Sequence, residues 1–170
     1  MKSIIAQVIL SQMLASLSTL RDCIDRCPNS EWEEPHNDYP FCQVVFHALF
    51  DCDLVLSEDV GELRGQEFHA AHRADFGEYE ELDGKSLVAM HKRDLLIDYY
   101  AHCREKVKSV LGEMSDEKLI APNADFYRNM TRCERYVNGI RHLQHHAAQL
   151  GFRLQLITGK EMNWVSRENG

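Results

Sequence analysis

The segment TRCERYVNGIRHLQHHAAQLGFRLQLITG, residues 131–159, has the residue pattern of one long amphipathic helix. Thr131 and Glu134 have the T-x-x-E spacing of a capping box, which begins a helix. Gly159 suits the left-handed position that follows a helix end. A helix with one apolar face must bury that face against other elements, so the segment predicts a helical bundle. Its apolar residues recur in steps of three and four: Tyr136, Ile140, Leu143, Ala147, Leu150, Leu154 and Ile157.

Three other segments have helical spacing. The first covers residues 3–26 and is followed by Pro28. The second begins near Pro40, and the stretch from residue 41 to residue 60 is apolar on most sides. The third begins near residue 86 and extends to about residue 114. Residues 59–85 are rich in glycine and acidic residues and predict a long connection. We therefore predict an all-α protein, a four-helix bundle with a long connection between helices 2 and 3. We expect the C-terminal tail to pack over one end, with Trp164 as its anchor.

The length and charge of the chain limit its class. With 170 residues, it is long enough for a single domain, residues 1–170, with a substantial core. The formal net charge of −8 disfavours nucleic-acid binding, because an acidic surface repels phosphates. Polar residues interrupt the N-terminal apolar segment at helical intervals, so we expect no membrane span and a cytoplasmic protein. In that compartment, the six cysteines are expected to be buried free thiols.

Three of the nine histidines occur within five positions, at His142, His145 and His146. At about 100° per residue, His142 and His146 lie roughly 90° to one side of the apolar stripe, one turn apart. His145 lies roughly 170° from the stripe and is expected to face solvent. Two imidazoles at i and i+4 can bind one metal ion, although the absence of a glutamate at position 143 excludes the H-E-x-x-H metalloprotease motif.

His47 is the best candidate for a third ligand, because it lies within the apolar run VVFHALFD. A buried ionisable group is costly unless it is hydrogen-bonded or coordinated. Taken alone, His47 is typical of a satisfied core histidine, and His142 with His146 could be a surface pair. Taken together, His47, His142 and His146 predict a three-histidine site for zinc, nickel or iron.

The remaining polar candidates are weaker. We expect His69 and His72 to lie in a solvated loop, and His91 and His102 to lie off or at the edge of the third helix's apolar stripe. Asp51 could orient a histidine of its own helix or be an ordinary surface residue. For Gln149, two roles remain open: orienting a ligand near the histidine pair, or lying solvated on the helix.

The stretches VVFHALFD and HLQHHAAQLGFRLQ resemble the DinB/YfiT-like family of metalloproteins. The family motif places a histidine in the second helix and an H-x-x-x-H pair in the last, which correspond to His47, His142 and His146. The resemblance implies an up-down-down-up four-helix bundle, a homodimer, and a divalent metal held by these three histidines. Some family members transfer a low-molecular-weight thiol to a small-molecule substrate. Phe46 replaces the tryptophan that commonly precedes the second-helix histidine, so the substrate pocket is left undetermined.

Three functional hypotheses follow. In the first, a metal with an open coordination position activates a thiol or water, giving a transferase or a hydrolase. In the second, the chain is a non-enzymatic dimeric stress-response or interaction protein whose metal is structural or adventitious. In the third, the histidines bind nothing. An open metal shell beside a pocket favours the first, and a closed four-ligand shell favours the second.

Overall fold

The computed structural model describes residues 3–36, 39–76, 90–122 and 130–168, and this part of the chain is mostly helical. The result confirms the all-α prediction. In chain order the elements are α1 (Ile4–Arg26), a 3₁₀ turn (Asn29–Glu31), β1 (Pro35–His36), β2 (Tyr39–Pro40), α2 (Phe41–Val55), α3 (Val60–Gly65), α4 (Glu67–Ala71), α5 (Arg73–Phe76), α6 (Arg93–Gly112), α7 (Asp116–Ile120) and α8 (Arg132–Thr158). The strands β1 and β2 form a two-residue antiparallel pair.

Four long helices, α1, α2, α6 and α8, surround one hydrophobic core. Each of α1 and α2 packs against both α6 and α8. The centre of the core is filled by apolar side chains from all four helices that are fully removed from solvent, including Met13, Leu17, Leu49, Tyr99 and Leu143. Burial of the apolar faces is therefore shared among the four helices, as their spacing predicts.

The helix α2 is the most buried of the four. Twelve of its fifteen residues are buried, so a polar side chain on this helix needs a partner inside the protein. The backbone carbonyls at the C-terminal end of α2 also need partners, and Arg135 of α8 supplies them. Arg135 is 2% exposed and donates hydrogen bonds to Leu54 O at 2.6 Å and to Ser57 O. A buried guanidinium thus satisfies the free carbonyls at the end of the helix.

The helix ends largely follow the sequence signals. Ser3 caps α1, Thr131 and Glu134 form the predicted capping box of α8, and Gly159 follows α8 with φ of 70°. The third long helix begins at Arg93, later than the predicted residue 86, and residues 77–89 lie outside the described part of the chain. The predicted long connection contains three short helices, α3 to α5.

The C-terminal tail packs along α1, but its predicted anchor is wrong. Trp164 is 67% exposed. Met162 is the residue that packs inward, against Gly151 of α8, where an added Cβ would lie 2.3 Å from the Met162 sulfur. Polar contacts also fix the tail, because Asn163 hydrogen-bonds Asp22 at 2.8 Å. A flexible thioether fills this narrow space better than an indole ring would.

All six cysteines are free, as predicted, and five of them are buried. Among the described helices, α1 is long and apolar enough by composition to cross a membrane. Half of its most apolar window is buried inside the structure, and core helices of soluble proteins pass the same test.

Candidate metal centre

The structure brings His47 of α2 together with His142 and His146 of α8. The Nε2 atom of His142 lies 3.1 Å from His47 Nε2 and 3.1 Å from His146 Nε2. The contact follows from the packing of α2 against α8 and from the one-turn separation of the two histidines on α8. His145, between them in sequence, is exposed as predicted.

Neighbouring side chains contact the Nδ1 atoms of two of these rings. The Nδ1 atom of His146 lies 2.9 Å from Gln149 Oε1, an oxygen that can only accept, so Nδ1 carries the proton. The Nε2 lone pair of His146 is then directed to the shared centre, as in metal-ligating histidines. The Nδ1 atom of His142 lies 3.1 Å from Asp51 Oδ2, which is within ion-pair distance but does not have the geometry of a hydrogen bond.

These contacts decide between the roles left open for two residues. Gln149 orients His146 rather than lying merely solvated. Asp51 contacts a histidine, although that histidine belongs to α8 and not to its own helix. Both fit the second layer of a metal site, which holds ligating imidazoles in place.

The spacing of the three nitrogens also suits a metal. Two ligand nitrogens, each about 2.0–2.1 Å from a zinc ion and at a tetrahedral angle, lie about 3.3 Å apart. The two observed separations are 3.1 Å. Hydrogen bonds explain the arrangement less well, because a single Nε2 cannot be donor and acceptor at once.

Burial keeps the imidazoles in the form that binds metals. Burial, followed by the neighbouring His142, lowers the pKa of His47 to about 4. Burial and the same neighbour lower the pKa of His146 to about 4. Both rings are therefore neutral at pH 7 and have a lone pair to donate.

The site is partly open to solvent. The side chain of His142 is 27% exposed. A shallow cavity of about 530 Å³ lies beside it, lined by Asn138, Arg141, His142, Gln144 and His145. A small molecule can thus approach the His142 side of the cluster.

A second polar cluster, on the other side of α2, joins Asp53 to His69 of α4 and His102 of α6. These three residues also have the types and spacing that could hold a metal. The prediction that His69 lies in a solvated loop is wrong, because His69 is 1% exposed. Its Nε2 donates to Asp53 Oδ2 at 2.6 Å. His102 Nε2 lies 2.9 Å from Gln66 Oε1 and 3.6 Å from Asp53 Oδ2.

The Asp53 cluster already contains its own cation and donors. Lys106 Nζ lies 2.5 Å from Asp53 Oδ1, and the Tyr99 hydroxyl donates to Oδ2 at 3.1 Å. Burial raises the pKa of Asp53, but hydrogen bonds from His102 and His69 and the charge of Lys106 hold it well below its usual range. The carboxylate is therefore charged and satisfied without a metal.

Part of this second cluster could have been found in the sequence. Asp53 lies in a run that is apolar on most sides, so it required a buried partner. Tyr99, His102 and Lys106 follow one another at steps of three and four, which places them on one helix face. His69 carried no such signal, because the connection that contains it has no strong apolar periodicity.

Comparisons with known proteins establish the fold and no function. No protein-family model matches the chain, and no curated protein matches it. A solved structure, that of a conserved protein from Enterococcus faecalis, is similar with a TM-score of 0.66 at 17% sequence identity. The similarity covers 94% of this chain and 99% of that one. At this level of identity it shows a shared fold alone.

Proposed function

We propose that the chain is a DinB/YfiT-like metalloprotein in which His47, His142 and His146 hold a divalent metal that activates a thiol or water. One observation carries the proposal: the Nε2 atoms of His47 and His146 each lie 3.1 Å from His142 Nε2. The opposite nitrogen of His146 donates to Gln149, and that of His142 lies at ion-pair distance from Asp51. The proposal includes an up-down-down-up bundle, a homodimer and a cytoplasmic location.

The donor set determines the chemistry of the site. Three neutral imidazoles suit zinc, nickel or iron and leave coordination positions open. A divalent ion bound there would lower the pKa of a coordinated thiol or water. A low-molecular-weight thiol could then react as its thiolate with a small electrophile at neutral pH.

The protein's own residues position the ligating imidazoles and control access to the site. Gln149 keeps the lone pair of His146 directed to the centre, which reduces the reorganisation needed on binding, and the Asp51 carboxylate lies beside His142 Nδ1. The exposed side of His142, with the adjacent cavity, gives a small thiol access. The opposite side of the site is formed by the buried helix α2, which excludes water.

Cobalt substitution tests whether the site binds thiols. Metal-free protein is loaded with Co²⁺ and titrated with 2-mercaptoethanol while the absorption spectrum is recorded. We expect a sulfur-to-cobalt charge-transfer band to appear, because the thiolate enters an open position. We also expect metal-dependent transfer of the thiol to 1-chloro-2,4-dinitrobenzene.

Two variants serve as controls. His142→Ala/His146→Ala should bind no cobalt and show no band, whereas His145→Ala should behave as the parent because His145 is exposed and outside the cluster. A parent that binds cobalt with a spectrum unchanged by thiol would contradict the proposal and favour a closed, structural metal in a non-enzymatic protein.

A further inference from the structure

A groove lies between the start of α2, the strand β2 and the C-terminal half of α8. Its volume is about 440 Å³, and its lining includes Tyr39, Val44, Gln149 and Arg153. Small-molecule sites have volumes of roughly 300–1,000 Å³. It is separate from the cavity at His142, because it lies towards the other end of α8.

The walls of the groove are mainly apolar. Three large side chains of α8 that line it remain in contact with solvent: Phe152 is 63% exposed, Leu156 72% and Ile157 37%. Val44 and Leu150 contribute further apolar surface from the core side. A run of large apolar residues left exposed around a concavity is typical of a ligand site.

Arg153 supplies a positive charge to this apolar groove. Its Nη1 donates to Tyr39 O at 3.1 Å and its Nη2 to Glu34 O at 2.6 Å, so neutral carbonyls hold the guanidinium in place. Within residues 3–36, 39–76, 90–122 and 130–168, no carboxylate lies at ion-pair distance from it. Each Nη keeps a second N–H for an additional acceptor. The negative charge of Glu31 interacts electrostatically with the Arg153 guanidinium from beyond ion-pair distance.

Gln149 adds a neutral donor one helical turn from Arg153. Its Oε1 accepts from His146, while its amide nitrogen has no acceptor in the described part of the chain. Residues one turn apart on a helix face have Cβ atoms about 5–6 Å apart, so a guanidinium and an amide N–H at these positions suit the oxygens of one acidic group or of two neighbouring polar groups.

We propose that this groove binds a small organic anion with an apolar body, its carboxylate on Arg153 and its hydrocarbon part along Val44, Phe152 and Leu156. The site goes beyond the proposed metal chemistry, since none of its contacts requires a metal. The paired polar and apolar features favour a carboxylic acid over a neutral hydrophobic molecule.

Octanoate and its uncharged counterpart 1-octanol test the proposal. Binding to the full chain is measured by displacement of 1-anilinonaphthalene-8-sulfonate fluorescence, with and without added zinc. We expect octanoate to bind about tenfold more tightly than octanol, because a charge-assisted hydrogen bond favours the carboxylate. We expect the same preference in both metal states, so a failure of the metal proposal would leave this result unchanged.

Three variants locate the site. Arg153→Met should abolish the preference for octanoate and retain octanol binding, which shows that the protein is folded. Leu156→Glu should weaken both ligands, whereas Ile120→Glu, at a position 69% exposed on α7 and outside the groove lining, should weaken neither. Equal affinities for octanoate and octanol in the parent, or a Leu156→Glu protein that binds as the parent does, would overturn the proposal.

Discussion

Two polar clusters lie on different sides of α2, around His47 and around Asp53, six residues apart in sequence. Their buried polar groups are paired in different ways. Around His47, three imidazole nitrogens converge, and the lone pair of His146 is directed to the shared centre. Around Asp53, a carboxylate is matched by Lys106, His69 and Tyr99. The first arrangement would be satisfied by an added cation, whereas the second is satisfied by the protein's own groups.

The comparison shows that metal-ligand residue types do not suffice to identify a metal site. Both groups have ligand atoms within 4.8 Å of one another. The two groups differ in how donors and acceptors are matched. At Asp53, hydrogen-bond donors face acceptors, and His69 Nε2 lies 2.6 Å from Asp53 Oδ2. Two ligands at about 2.1 Å from one metal would be expected farther apart, at about 3.3 Å. We therefore propose metal binding for the three-histidine cluster and a role in fold stability for the Asp53 cluster.

The largest expected effect is on stability, from Asp53→Ala. The substitution leaves the Lys106 ammonium with one fewer buried acceptor and His69 without its carboxylate, so the free energy of unfolding should fall by about 3–5 kcal/mol. Urea denaturation measures the change. Asp98→Ala, an exposed aspartate on α6, is the matched control and should change stability by less than about 0.5 kcal/mol. A loss at Asp53 no greater than at Asp98 would break the comparison.

A pair of histidine variants should separate the two roles. His69→Ala should lower the free energy of unfolding by about 2–3 kcal/mol, since it leaves a cavity and an underpaired Asp53, and it should retain metal. His47→Ala should lose metal while the stability of the metal-free protein changes by about 1 kcal/mol or less, because its Nε2 has no fully satisfied hydrogen bond to lose. Denaturation and metal analysis on both proteins check this. Metal loss from His69→Ala with retention by His47→Ala would reverse the assignment.

The two clusters should also respond to acid in different pH ranges. The pKa of His47 and of His146 is lowered from 6.5 to about 4 in the fold. The stability of the metal-free protein should therefore be fully present above pH 6.5 and fall as the pH drops towards 4, by roughly 3 kcal/mol for each histidine, because the unfolded chain binds the protons first. The variant His47→Gln/His146→Gln should lose less stability over this pH range when denaturation is measured at each pH.

Asp53 should contribute at lower pH. Its pKa is held well below the usual 3.8, so its contribution is present above about pH 4 and is lost as the pH falls further. The double histidine variant should leave this second decline in place. A decline between pH 6.5 and 4 that the double variant fails to reduce would contradict the neutral, buried state of the two imidazoles.

The smallest effect is expected from Gln149→Leu. Removal of the acceptor for His146 Nδ1 should weaken zinc binding about tenfold without abolishing it, because such supporting hydrogen bonds orient ligands and do not replace them. Competition with a chromophoric chelator measures the affinity. Gln155→Leu, farther along α8, should bind zinc as the parent does. Unchanged affinity in Gln149→Leu would show that the hydrogen bond does not support the site.

The sequence predicts the long helices well because their apolar spacing and capping residues act locally. The Thr131–Glu134 capping box and Gly159 each mark an end that the structure contains. The convergence of His47 with His142 and His146 was also predictable, since one buried histidine and one i, i+4 pair on a single face need only adjacent helices.

Other features depend on contacts between distant segments. The pairing of His69 with Asp53 requires α4 to fold back over α2 and α6, and nothing in the local pattern of residues 59–85 specifies that. The choice of Met162 over Trp164 as the tail's inward residue depends on the narrow space at Gly151. The Arg153 groove likewise arises where β2 and the start of α2 meet α8.

Metal stoichiometry tests the central assignment most directly. Plasma mass spectrometry on untagged protein loaded with zinc and desalted would compare the parent, His142→Ala/His146→Ala and His102→Ala. We predict about one equivalent in the parent and in His102→Ala, and little in the double variant, since three imidazoles form the site. Full metal content in the double variant, or its loss in His102→Ala, would contradict the account and place the metal at Asp53.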